Sequence, residues 1–179
     1  HQHEDAGSFQ IHYRGLLAAD LGLYGYYGTP YDMNFNKRSV AHNVLLVVDP
    51  KEDTSPLKPD GGQRFIKGCP PSLAALPTGP WSNGAVLASG FGPSPRRPFF
   101  SQLKVDLKAA YSDKVAAYTR RFVFLNLGLQ GRPAALVVLD RVASAAASFR
   151  KIWQHNSLEK PVPADGQLNV RGQGRGLPG

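Results

Sequence analysis

Short apolar or alternating stretches, separated by turn residues, run along most of this chain. "SFQIHYR" (8–14) alternates with period two and predicts a half-buried strand. "GLLAADLG" (15–22) predicts a second, with Gly15 suited to the tight connection between them. "YGYYGTPYDMNFNKRS" (24–39) reads as a long aromatic and polar loop. "HNVLLVVD" (42–49) predicts a buried strand closed by Pro50. Residues 50–84 are rich in Pro and Gly and irregular, with one helical turn at "SLAALP"; loops of that length are usually functional or mobile. Further strands are predicted at "GAVLASGFG" (84–92), at "QLKVDLKAAY" (102–111), where Leu103, Val105 and Leu107 share a face, and at "FRKIWQHNSLE" (149–159). "VAAYTRRFVFLNL" (115–127) and "AALVVLDRV" (134–142) pair as a hairpin across "GLQGRP". The β-branched and aromatic residues of 102–118 speak against a helix there. Phe122, Phe124 and Trp153 read as core. The whole pattern predicts an all-β fold, an antiparallel β-sandwich, with no internal repeat.

Composition narrows this. The chain has 179 residues, 42% of them hydrophobic, enough for one globular domain with a core. The 19 glycines and 15 prolines favour turns over long helices. No apolar run approaches the roughly 18 residues of a membrane-spanning helix; the longest is "AALVVL" (134–139). The chain opens on His1 rather than on methionine, and "VRGQGRGLPG" closes it without a regular element. It therefore reads as a fragment of something longer, with 1–179 a single partial domain. A lone cysteine, Cys69, excludes an internal disulfide and thiolate zinc sites, and reads as a buried, inert thiol. The net charge of +8 favours an anionic partner: nucleic acid, a membrane surface or an acidic polysaccharide. No nucleic-acid-binding motif is visible, and "DLGLYGYYG" is not followed by the helix that a phosphate-cradling loop requires.

The candidate chemistry lies near the start. On a strand, residues i and i+2 share a face, so His1 and His3 form a potential ligand pair. Asp20 ends the second apolar stretch and His42 begins the buried one. His3, Asp20 and His42 offer two imidazoles and a carboxylate, a set that suits Zn²⁺ by ligand type and leaves one position open. Asp5 competes with Asp20 for the carboxylate position, because it lies on the His1/His3 face. His12 reads as an ordinary strand residue.

The segment "HQHEDAGSFQIHYRGLLAADLGLYGYYGTPY…NFNKRSVAHNVLLVVDP" resembles the sandwich domain of heparinase II/III-type polysaccharide lyases. "GGQR" (61–64), "ASGFGP", "LKAAYSDKV", "RRFVFLNL", "VVLDRV" and "KIWQHNSLEKP" extend the resemblance over nearly the whole chain. It implies a sandwich that forms part of a larger toroid-plus-sandwich lyase. Such enzymes cut heparin, heparan sulfate or related 4-linked uronic acid chains by β-elimination. It implies Zn²⁺ held by the second His of HxH, the Asp before G-x-Y and the His of AHN, which are His3, Asp20 and His42. Asp5 then supports the ligands or orients the strand. His1, the first His of HxH, is implied at the active site, and Tyr27 in "YYGTPY" as an acid/base partner. Tyr31 stands where the family has a histidine. The resemblance also implies an acidic polysaccharide as partner, no nucleic acid, no membrane, a homodimer as the oligomeric option, and a periplasmic or secreted location. The residues themselves place Lys37 and Arg38 on the 24–39 loop, where they could contact sulfate or carboxylate groups. Arg96 and Arg97 read as solvated charges, and His155 in "WQHN" as structural.

Two other classes compete. A non-catalytic β-sandwich that binds sulfated glycans fits the basic charge. A copper histidine-brace oxidase, which needs a mature N-terminal histidine, is suggested only by His1.

Overall fold

A computed structural model describes residues 2–170 apart from 24, 56 and 67. Among the described residues helix is confined to single turns, and the strands pair antiparallel throughout. In chain order the strands are β1 (Ile11–His12), β2 (Leu16–Ala18), β3 (Leu45–Val48), β4 (Ala85–Pro93), β5 (Pro98–Asp106), β6 (Val115–Leu129), β7 (Arg132–Ser144), β8 (Arg150–Trp153), β9 (Val162–Ala164) and β10 (Gln167–Asn169). The chain divides into two compact units. One comprises His1–Phe65 with Phe149–Gly179, and the other Ile66–Ser148.

The first unit holds three short ribbons: β1 with β2, β3 with β8, and β9 with β10. Its apolar core is small, built from Ala18, Ala19, Ala41, Val44, Leu45, Leu46, Val47 and Leu57. Polar side chains fill the rest. Asn43 is fully buried; its Nδ2 donates to the Phe9 and Ala19 carbonyls, and its Oδ1 accepts from the Asn156 backbone N–H. Buried polar groups persist only when they are paired in this way, and each such tie also fixes a loop. At Gly62 a Cβ would lie 2.5 Å from that of Ser39, so only glycine lets these two segments approach.

The second unit is a single four-stranded meander in the order β4-β5-β6-β7. The expected hairpin is present and longer than its apolar cores, joined at a tight turn where Gly131 has φ +76°, a conformation that favours glycine. Val86, Val105, Arg120 and Asp140 are successive cross-strand partners, as are Leu103, Phe122 and Val138. Arg120 is 1% exposed, and its guanidinium meets Asp140 through Nε at 2.8 Å and Nη2 at 2.9 Å. The Tyr118 hydroxyl donates to the same carboxylate, and burial pushes its pKa well above the ordinary range for a phenol.

Several expectations change. The 8–14 and 15–22 stretches do pair, but only over β1 and β2, and residues 2–10 form no strand at all. The last predicted strand shrinks to β8, and a further hairpin, β9 with β10, follows it. The "SLAALP" turn is a 3-10 turn at Leu73–Ala75, whereas 32–36 winds into one π-helical turn inside the expected loop. Phe124 and Trp153 are not core: they are 40% and 48% exposed. The reason is geometric. The second unit has one sheet and β8 has one partner strand among the described residues, which leaves the faces that carry these two rings partly open. Cys69 is exposed, not buried, on the irregular stretch between the units' strands. Arg96 and Arg97 are exposed, as expected of solvated charges.

Candidate metal centre

His42 is the centre of the site. A 3-10 turn at Ser39–Ala41 delivers it in an extended conformation just before the buried strand, and its side chain is 1% exposed. Its backbone is held at both ends: its N–H donates to the Ser39 carbonyl, and its own carbonyl accepts from Val44 N–H and from Gln154 Nε2. Gln154 Nε2 also reaches the Val40 carbonyl at 2.6 Å. In "WQHN" it is therefore the glutamine and the asparagine, not His155, that fasten the site. His155 instead lies beside Trp153 and Phe9, its ring 8° from parallel to the indole.

Asp20 follows the β2 ribbon, and its Oδ1 lies 3.0 Å from His42 Nδ1. The contact lacks hydrogen-bond alignment: both atoms are buried and neither has a hydrogen-bond partner, and His42 Nε2 has none either. Two ligands on one tetrahedral zinc, at bonds of about 2.1 Å, stand about 3.4 Å apart. The Asp20–His42 separation is thus close to that of a shared cation. Asp20 Oδ2 is turned the other way and accepts from Gln10 Nε2 at 2.7 Å.

His3 approaches from the irregular N-terminal segment. Its ring centroid is 5.2 Å from that of His42. Ligand atoms of His3, Asp5 and His42 lie within 4.8 Å of one another. Burial, and next the neighbouring His42, lower the pKa of His3 and so favour its neutral imidazole, the form that offers a metal a lone pair. Buried His42 is thus flanked by one imidazole and two carboxylates. The donor set fits a divalent cation with nitrogen and oxygen preference, and the unpartnered buried atoms of His42 and Asp20 are the kind that such an ion satisfies.

The remaining candidates are spread out. His1 lies outside the described residues. Tyr27 is 76% exposed, with Lys37 Nζ 4.0 Å from its ring centroid. Lys37 also pairs with Asp32 at 2.6 Å. Arg38, expected at an anionic ligand, is 2% exposed and engages Glu4 and Asp60 of its own chain. Tyr31 accepts from the Leu23 N–H through its hydroxyl. A small pocket is lined by Gln2, Glu4, Met33, Lys37, Arg38 and Phe65. Asp5, the competing carboxylate of the sequence, joins His3 and His42 within 4.8 Å, a grouping that does not include Asp20, and its spacing from His3 is the signal for it. Ser39, Gln63 and Gln154 carried no such signal.

Neither the models of known protein families nor the curated proteins give a match to this chain. Among the described residues no helix is long and apolar enough to cross a membrane.

Proposed function

We propose that this chain is the zinc-bearing β-sandwich part of a polysaccharide lyase that cleaves heparin- or heparan-sulfate-type glycosaminoglycans by β-elimination at uronic acids. The observation that carries the reading is the gathering of His3, Asp5 and Asp20 around the buried His42. His3, Asp20 and His42 are the zinc ligands in this reading, with Asp5 beside them. Zinc bound there supplies fixed positive charge that ties the N-terminal segment to the 39–42 turn. In the elimination a base removes the C5 proton, the C4–O4 bond breaks as the C4–C5 double bond forms, and an acid protonates the departing O4. Neutralising the uronate carboxylate makes C5 acidic enough to lose its proton. Tyr27 and His1 are assigned to proton transfer and substrate orientation, while Lys37, beside the Tyr27 ring, is committed to its ion pair with Asp32. The ion pairs of Arg38 give it a supporting role rather than direct contact. The main cleft His and Tyr belong to an α/α-toroid that the reading requires outside this chain. The 179-residue chain alone is therefore expected to be inactive. A homodimer and a periplasmic or secreted location go with the same reading.

The test is zinc analysis of the intact protein, together with ultraviolet absorbance of unsaturated uronate during digestion of heparin, heparan sulfate and other uronic acid polymers. Stoichiometric zinc and a rising absorbance are expected; intact protein that degrades none of these polymers with that product overturns the lyase assignment. The +8 charge favours one alternative, a non-catalytic module that binds sulfated glycans. Salt-sensitive heparin binding by an intact protein with no eliminative product would select it.

A further inference from the structure

The segment that carries His3 and Asp5 is in no sheet, so no ladder fixes its course. Side chains do so instead. Glu4 N–H donates to the Lys37 carbonyl at 2.8 Å, and the Glu4 carbonyl accepts from Ser39 Oγ at 2.7 Å. Ala6 is bracketed by the Gln63 amide, which accepts from its N–H and donates to its carbonyl. The strongest tie is electrostatic. Arg38 Nη1 lies 2.6 Å from Glu4 Oε2 in a charge contact without hydrogen-bond alignment, while Nε and Nη2 donate to the two oxygens of Asp60 at 3.0 and 2.8 Å. The guanidinium is 2% exposed and Glu4 6%, so this charge pairing is sheltered from solvent screening. Glu4 stands between His3 and Asp5 in the chain, and Arg38 immediately precedes the Ser39–Ala41 turn that delivers His42. One buried guanidinium therefore joins both arms of the metal cluster to Asp60, which also caps Gly62 N–H.

We propose that Glu4, Arg38 and Asp60 form a positioning triad that sets the distance between the His3/Asp5 arm and His42, and through it the affinity for a divalent metal. The inference rests on the metal centre proposed above. A triad that only stabilised the fold would change unfolding without changing metal affinity. Residues that orient metal ligands change affinity by about 10- to 100-fold when altered.

The test uses the full chain and Zn²⁺ or Co²⁺ alone, with affinity by competitive titration and coordination geometry from the Co²⁺ visible spectrum. Glu4→Gln and Asp60→Asn are preferred to Arg38→Ala, which would take the guanidinium from both carboxylates at once. Each is expected to weaken metal binding by about tenfold and to alter the Co²⁺ spectrum, the double variant showing less than the product of the two effects. Arg38→Lys, which keeps the charge and loses the forked geometry, is expected to fall between these and the unaltered chain. Tyr118→Phe in the other unit removes a hydrogen bond to Asp140; it should lower the melting temperature and leave metal affinity unchanged. If Glu4→Gln fails to fold, Asp60→Asn and Arg38→Lys decide the matter. Unaltered affinity and spectrum in the folded variants overturn the triad and leave the metal centre standing. No metal binding by the unaltered chain overturns the metal centre itself.

Discussion

At the scale of single residues, the proposed metal site turns on which carboxylate serves as ligand. Asp20 Oδ1 stands 3.0 Å from His42 Nδ1 without hydrogen-bond alignment, and Asp5 lies in the same cluster as His3 and His42. If Asp20 is the ligand and Asp5 its support, Asp20→Asn lowers Zn²⁺ affinity by about 100-fold or more, and Asp5→Asn by about tenfold. Isothermal titration with zinc separates the two, and a larger loss in Asp5→Asn reverses their roles. His42→Ala should abolish binding, whereas His12→Ala, on the exposed β1 ribbon, should not change it. The imidazoles and carboxylates of the proposed site were readable in the sequence, because those are the side chains a divalent cation of nitrogen and oxygen preference selects. The supporting residues were not. Ser39, Gln63 and Gln154 act by closing backbone hydrogen bonds, a job that any of many polar side chains could do from many positions.

At the scale of elements, two turns and one sheet carry measurable consequences. The π-helical turn Asp32–Asn36 is closed by Asp32, which accepts from Lys37 Nζ, from Gly28 N–H and from Asn36 Nδ2. The Lys37 bond first, then the Gly28 and Asn36 bonds, lower the Asp32 pKa from 3.8 to about 2. A depressed carboxylate pKa stabilises the folded state at pH values above 3.8, and that stabilisation disappears as the pH falls through about 2. Acid unfolding between these values should therefore be shallower in Asp32→Asn, which should also be less stable at pH 7; identical acid curves contradict this. In the meander, Asp140→Asn takes from the buried Arg120 the charged carboxylate that its Nε and Nη2 engage. A loss of about 3–5 kcal/mol is expected in denaturant unfolding. The strands β4, β6 and β7 were legible because apolar stretches bounded by turn residues are local signals, whereas the strand expected at 102–111 is displaced to Pro98–Asp106 and Lys108–Ala110 forms a 3-10 turn instead. The loop character of residues 2–10 was not: "SFQIHYR" alternates like a strand, but the side-chain amides of Gln63 and Asn43 take backbone partners that a sheet would otherwise supply.

At the scale of the whole molecule, the first unit is assembled from both parts of the chain that flank the second. Asn43 and Asn156, 113 positions apart, are joined by a 2.6 Å hydrogen bond, and β3 pairs with β8. Such contacts repay loop-closure entropy only late, so the first unit is expected to fold more slowly than the meander. For the proposed glycan partner, the +8 charge predicts long-range electrostatic attraction. Heparin affinity should fall by at least about tenfold between low salt and 0.5 M salt, measured on the full chain at pH 7. A salt-insensitive affinity would place recognition in apolar contacts instead.

The sequence by itself determined the all-β character, the hairpin of β6 and β7, the basic net charge and the imidazole and carboxylate side chains on which the proposed metal site draws. These follow from periodicity, turn chemistry and composition, which act over a few neighbours or over the sum of the chain. Only the tertiary structure decided that His3 reaches His42 from a loop rather than from a strand. It alone turned Arg38 inward between Glu4 and Asp60, left Trp153 and Cys69 exposed, and set Gln154 against the His42 carbonyl. Each of those outcomes depends on which distant segment lies alongside, and no local pattern encodes that.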